Sequence, residues 1–309
     1  MKLMCHLPQD RKRRPMRLAR QLLSLLAVSA LLVTAACGTG VEKPRPDSAA
    51  QPLPVDPAAP SFQATPAPIT ERRERAPQSA ETLCRPLTFE AVGYTVCEID
   101  LRRYRLGLFW QGRDGAPYGS LGAFRRAMDA AHDPALVAMN AGMYQPDLSP
   151  VGLFVAGGRE LHPANFADGD GNFFMKPNGV FYADGETAGI LETEAYERLA
   201  PATQIATQSG PMLVIDGALH PLFSDDGPSR KTRNGIGIRD GHTVVFAISD
   251  GGVSFGSFAR LFRDGLGCRN ALYLDGSVSA LSAPGGLSVG WGIRVGPILA
   301  VFDTAAPEG

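Results

Sequence analysis

The chain has 309 residues, 44% apolar and 20% charged, a composition that supports a sizeable buried core. Its net charge of −1 is unevenly spread: residues 1–36 carry +6 (Lys2, Arg11, Lys12, Arg13, Arg14, Arg17 and Arg20 against Asp10), leaving −7 for the rest. An acidic body argues against a nucleic-acid partner, which needs a basic face. No apolar run reaches about 18 residues, which excludes a polytopic membrane protein.

The first segment reads as an address. A cationic stretch, residues 11–20, precedes the uncharged run Leu22–Ala36, too short to span a bilayer but right for a signal peptide over 1–36. The run ends Val33-Thr34-Ala35-Ala36-Cys37-Gly38. This resembles a bacterial lipobox, with Thr34 where that motif prefers Leu or Val. Cys37 is therefore the expected lipidation site, and the protein is expected to be exported, periplasmic or held at a membrane through that lipid alone. Residues 37–81 form an expected disordered, Pro/Ala-rich spacer. Nine of the 25 prolines fall between 41 and 80, and beyond Val41 at its start only Leu53, Val55, Phe62 and Ile69 are there to seed a core.

One domain is expected over 82–305. Cys84 and Cys97 bracket a 12-residue loop, and an oxidising compartment favours a disulfide between them. Cys268 is left over, more commonly a buried inert thiol than a nucleophile. Tyr94–Asp100 and Tyr104–Trp110 are predicted as paired strands, and Leu121, Phe124, Met128 and Ala131 mark a helix over 120–132. Ala135–Asn140 and Val151–Ala156 are short strands. Gly179–Ala183 and Gly189–Glu192 flank Asp184-Gly185, a hairpin signal. Met212–Ile215 runs into Asp216-Gly217, and Ile236–Arg239 reaches Asp240-Gly241 before Thr243–Ser249. Phe258, Leu261, Phe262 and Leu266 mark a second helix, followed by strands Ala271–Leu274 and Ile293–Phe302, the last with Pro297 at an edge or bulge. The expected fold class is α+β: a mixed, largely antiparallel sheet core with a few flanking helices.

Several strands end in segments that mix glycine with polar residues, around Asn140, Lys176-Pro177-Asn178, Gln208-Ser209, Arg233-Asn234, Ser249-Asp250 and Leu274-Asp275. Each alone is an ordinary turn. Repeated at strand ends, they form an inventory of two carboxylates, two cations and several amides. His132, His162, His220 and His242 show no metal-ligand spacing, and Cys-x-x-Cys is absent, so no zinc site is expected. No phosphate loop ending in Gly-Lys-Ser/Thr occurs. Asp168-Gly169-Asp170-Gly171-Asn172 has the opening spacing of a calcium loop, but Phe173 and Gly179 break it, which leaves at most weak calcium binding and no expected cofactor. The chemistry still open is hydrolysis. Asp250 and Asp275 would supply acid and base, Arg233 and Lys176 would hold an anionic group, and Asn140 and Asn178 would bond sugar hydroxyls.

The motifs Asn140-Ala141-Gly142-Met143-Tyr144, Pro177-Asn178-Gly179-Val180-Phe181, Ser209-Gly210-Pro211-Met212-Leu213, Arg233-Asn234-Gly235-Ile236-Gly237 and Cys268–Gly276 stand in an order that resembles the phosphodiester glycosidase family. The resemblance covers about residues 90–305. It implies a substrate with a sugar linked through C1 to a phosphodiester, with Asn140, Arg233 and Asp275 in the motifs of the active-site cleft and Asn178 and Ser209 as lesser candidates. One departure is Asp275-Gly276-Ser277-Val278-Ser279, where the family commonly has Asp-Gly-Gly-x-Ser. The competing readings are a non-catalytic module that binds an envelope glycan or sugar phosphate, and a phosphodiesterase, which would normally use a two-metal cluster.

Overall fold

The computed structural model describes residues 83–276, 278–284, 288–290 and 292–304. The expected signal peptide, the lipidation site Cys37 and the spacer lie outside the described residues.

In chain order the strands and helices are β1 (Cys84–Phe89), β2 (Val92–Asp100), β3 (Tyr104–Phe109), α1 (Leu121–Ala130), β4 (Val137–Asn140), β5 (Phe154–Ala156), β6 (Arg159–His162), β7 (Gly179–Ala183), β8 (Ala188–Glu192) and α2 (Thr193–Leu199). They continue as β9 (Ile205–Ser209), β10 (Met212–Ile215), β11 (Ala218–Leu219), β12 (Asn234–Ile238), β13 (Thr243–Ser249), α3 (Phe255–Arg260), β14 (Asn270–Asp275), β15 (Leu281–Ser282), β16 (Ser288–Val289) and β17 (Ile298–Asp303). The fold is α+β. Three sheets run in the orders β1-β2-β13-β12-β14-β10-β11, β16-β15-β4-β17-β3 and β6-β5-β9-β7-β8. Every ladder among them is antiparallel.

Local chemistry explains many of the joints. The three Asp-Gly turns close the β7–β8, β10–β11 and β12–β13 hairpins. In the second, Asp216 and Gly217 both take positive φ, 49° and 85°, the twist that a tight hairpin demands. Ser120 caps α1 by accepting from the Ala123 N–H at 3.1 Å, and Ser254 caps α3 through Ser257 in the same way. Past Arg260 the helix loosens into a π-turn over Leu261–Gly265.

Two expectations change. Tyr94–Asp100 and Tyr104–Trp110 were expected to pair, but β2 lies between β1 and β13 while β3 pairs with β17 in another sheet. Alternating apolar positions specify a strand and leave its neighbour open, because long-range burial chooses the partner. The supposed loop between the cysteines is likewise a hairpin. Cys84 sits directly opposite Cys97 in the β1–β2 register, and the two are joined by a disulfide. Pro86 is accommodated because β1 is an edge strand.

The seven-stranded sheet buries both faces. Ile236, Phe246, Ile248, Leu272 and Leu274 join Val137, Met139, Leu299 and Val301 of the second sheet and Phe154, Phe181, Ile190 and Ile205 of the third in one core. On the opposite face Tyr94, Val96, Val245, Ala247, Ala271 and Tyr273 lie under Phe258, Leu261, Phe262 and Leu266. Glycine at 237 lets that helix close: a Cβ there would lie 2.7 Å from the Phe262 ring and 2.6 Å from Cys268 Sγ. Cys268 is buried in this layer, and burial pushes its thiol up to about 12, so it is an inert packing residue.

Candidate active site

The strand-end segments around Asn140, Ser209, Arg233-Asn234 and Leu274-Asp275 meet where β12 begins and β14 finishes. Asn234 pairs with Asp275, yet Gly235 already pairs with Tyr273, so Leu274 is an extra residue and β14 bulges. Leu274 fills the inner core and Tyr273 the layer below α3, and Asp275 emerges partly exposed at the strand end.

Two buried asparagines frame this corner. Asn234 Nδ2 donates to the Asn140 carbonyl and Oδ1 at 2.8 and 3.1 Å, and Asn234 Oδ1 accepts from the Asp275 N–H at 2.9 Å. Asn140 Nδ2 donates to Val278 O at 2.7 Å, and its Oδ1 also accepts from Ala280 N–H at 2.8 Å. Asn140 thus ties β4 to β12 and to the segment after Asp275 and does not present its amide to a sugar. Asn178 is spent in the same way, donating to Phe173 O and accepting from Thr193 Oγ1. Ser209 Oγ donates to Leu274 O at 2.9 Å and so pins the bulge. Gly210 completes that joint, because a Cβ would come within 2.7 Å of Asn178 Cβ and Phe173 O.

Arg233 precedes Asn234 and is wholly buried. Its Nε donates to Val253 O at 2.8 Å, Nη2 to the Ser229 carbonyl and hydroxyl at 2.9 and 3.3 Å, and Nη1 to the Tyr273 hydroxyl at 3.1 Å. The Phe255 ring covers the guanidinium at 3.6 Å. All of these acceptors are neutral, and among the described residues no carboxylate forms an ion pair with Arg233. Desolvation lowers its pKa, opposed by Tyr273, but an arginine keeps its charge under such conditions. The cation therefore lends a positive potential to the corner above it.

Two tyrosines feel the charge of Asp275. Burial raises the pKa of Tyr273 and the carboxylate adds to that, while hydrogen bonds from Arg233 and Asn172 work against it. Tyr144, which donates to Arg294 O at 2.9 Å, is raised by burial first and by Asp275 second. Both remain phenols at neutral pH. A wall of rings continues from Tyr273 through Phe255 and Phe223 to the buried His220, with centroid spacings of 4.8, 5.0 and 4.6 Å.

Asp250 and Lys176 stand apart. Asp250 is exposed beyond β13, and β12 separates it from Asp275 by two inter-strand spacings, about 10 Å. Its carboxylate leans over Gly93 of β2, on the side away from β14, with Oδ2 2.3 Å from where a Cβ would be. The proposed acid and base are therefore not brought together. Lys176 is exposed and pairs with Asp168 at 2.7 Å, also donating to Phe166 O at 3.1 Å. That pairing engages the first carboxylate of the calcium-like run, and among the described residues no cluster of three His, Cys, Asp or Glu side chains forms. Phe255 was not singled out from the sequence, Asn172 entered only through the calcium-like run, and Tyr273 only as a member of the closing motif Cys268–Gly276. Their signal is spatial, since Tyr273 becomes notable only when β12 delivers Arg233 beside it.

No described helix is long and apolar enough to cross a membrane. The family model for phosphodiester glycosidases matches residues 133–285. The chain is 35% identical over 182 residues to the uncharacterised protein YigE of Escherichia coli K12, covering 59% of this chain and 71% of that protein. In fold it is similar to the catalytic domain of zebrafish N-acetylglucosamine-1-phosphodiester α-N-acetylglucosaminidase, with a TM-score of 0.50 and 13% identity over 71% of this chain and 81% of the other. A hypothetical protein from Synechocystis aligns with a TM-score of 0.47 and 15% identity over 71% of this chain and 61% of the other. The ordered motifs, the YigE relationship and the family match together place this chain in the phosphodiester glycosidase family.

Proposed function

We propose that the corner around Asp275 hydrolyses a sugar-1-phosphodiester at the C1–O bond, the sugar being N-acetylglucosamine or a close relative, in the cell envelope. Support comes from the charges at this corner: Asp275 is partly exposed at the end of β14, and the buried Arg233 guanidinium, which has no acidic partner among the described residues, reaches with Tyr273 beneath the next residue, Gly276. Glycosidic cleavage passes through an oxocarbenium-like transition state. Asp275 faces that positive carbon and takes the proton of the attacking water. The C1–O electron pair leaves with the phosphate, already a stable anion, so the acid that Asp250 was expected to supply is not required. The field of Arg233 favours the departing charge, and Lys176 is a second cation on an exposed loop.

One observation favours the non-catalytic alternative, a sugar-phosphate-binding module: of the proposed carboxylates, the corner brings in Asp275 and leaves Asp250 outside, where glycosidases normally use two. The two are separated by incubating the protein with UDP-N-acetylglucosamine and with a simple N-acetylglucosamine α-1-phosphodiester while assaying free sugar. An enzyme releases sugar, and Asp275→Asn reduces release by about 10³-fold while sugar-phosphate affinity stays nearly intact. A binder releases none, and the substitution changes affinity alone.

A further inference from the structure

Arg233 was expected to clamp the substrate phosphate, yet it is wholly buried, ringed by Val253, Ser229 and Tyr273 as acceptors and covered by Phe255. Its Nη1 points at the Tyr273 hydroxyl, and that hydroxyl lies directly beneath the residue that follows Asp275. A Cβ on Gly276 would stand 1.7 Å from Tyr273 Oη and 3.3 Å from Arg233 Nη1. The bulge at Leu274 puts Tyr273 and Asp275 at the two ends of the same irregularity. We infer that Arg233 is a positioning residue that does not touch the substrate: it acts through the Tyr273 hydroxyl, and the pair together sets the backbone and the charge state of Asp275. The inference rests on Asp275 being the reacting carboxylate.

The physical basis is ordinary. A guanidinium bonded to a phenol oxygen withdraws electron density from it, so the O–H dipole favours a negative charge nearby. Among the described residues, the charged and titratable groups around Asp275 include Tyr273 on its own strand, Arg233 just before β12, and Tyr144 with Arg294 from the loops beyond β4 and before β17. Asn234 and Ser279 hold its main chain. Arg233 and Tyr273 are thus the groups whose removal isolates the carboxylate from the buried cation. Tyr273→Phe keeps the ring against Phe255 and deletes one oxygen. Arg233→Lys keeps the charge and loses the fork.

The test titrates the Asp275 carboxyl by carbon-13 NMR, assigned with Asp275→Asn, in wild type, Tyr273→Phe, Arg233→Lys and the double variant. Alongside it, kcat and KM are followed on the N-acetylglucosamine phosphodiester from pH 4 to 9. Losing an opposite charge or its relay raises a carboxyl midpoint, by about 0.5–1 pH unit for a contact transmitted through one hydroxyl. The expected result is an upward shift in Tyr273→Phe, the same move in the acid limb of kcat/KM, and a fall in kcat of about 30-fold with KM within about threefold. The double variant should go no further than the worse single one. The inference is overturned if Tyr273→Phe titrates like wild type, or if Arg233→Lys raises KM about tenfold with kcat kept, which would make the guanidinium a substrate contact. If Arg233→Lys does not fold, the decision falls to Tyr273→Phe. If wild type releases no sugar, the glycosidase reading fails on its own, and the titration still decides the coupling.

Discussion

The face of the seven-stranded sheet beneath α3 contains two kinds of interior side by side. Under Phe258 and Phe262 the packing is apolar and close, with Gly235, Gly237 and Cys268 making room for rings. At the end of the same face Arg233 is buried against a tyrosine and main-chain oxygens, and on the inner side Asn140 and Asn234 are buried too. The first region lowers free energy by removing apolar area from water. The second buries polar groups that are tolerable only while each is hydrogen-bonded, and a cation that an apolar residue would replace at less cost. One sheet thus carries a stabilising layer and a costlier corner, and Asp275 stands at the corner.

Breaking the polar frame should cost the most stability. Asn234→Ala takes the Nδ2 donor from the buried Asn140 carbonyl and the acceptor from the Asp275 N–H, so a loss of about 2–4 kcal/mol in urea unfolding is expected, with sugar release falling further than stability alone explains. Removing the disulfide with Cys84→Ala and Cys97→Ala acts far from the corner, on a hairpin edge. The chain-entropy model gives about 3 kcal/mol for a loop of this length, and activity at low temperature should survive. Gly237→Ala sharpens the contrast from the apolar side. Overpacking against Phe262 should lower stability by about 1–3 kcal/mol and leave KM alone, and an unchanged melting temperature would show that the helix yields freely.

The smallest effect is a pH dependence. Glu90, at the β1–β2 turn, binds Arg260 at 2.6 and 2.9 Å and accepts from Ser257 at 2.7 Å, so it docks that turn on α3. The Arg260 hydrogen bond holds its carboxyl below the usual 4.5. A depressed carboxylate contributes stability fully above its unfolded value and loses it as pH falls through the folded one. The pair is about a third exposed, so roughly 1 kcal/mol or less is expected. Comparing wild type with Glu90→Gln, the difference should be full at pH 7 and shrink as pH falls below 4.5 through the folded value.

Asp250 and Asp275 show how far the sequence could be read. Each follows an apolar strand and precedes glycine, and in one dimension they are equivalent. The strand order separates them: β12 lies between, one carboxylate leans over Gly93, and the other emerges beside Tyr273 and Arg233. Asn140 and Asn178 sit in the right motifs, yet hydrogen bonds from distant segments turn them into framework.

By itself the sequence determined the α+β class, the helices α1 and α3 though not α2, most strands and the three Asp-Gly hairpins. These follow from side-chain period and from the few residues that tolerate positive φ, and both act over a handful of neighbours. The ordered motifs also named the family. Tertiary structure alone decided that β2 and β3 part into different sheets, that Arg233 lies buried without an acid among the described residues, and that Tyr273 connects it to the Asp275 corner. The reason is that burial and electrostatic environment are sums over residues brought together from the whole chain, and no local pattern contains them.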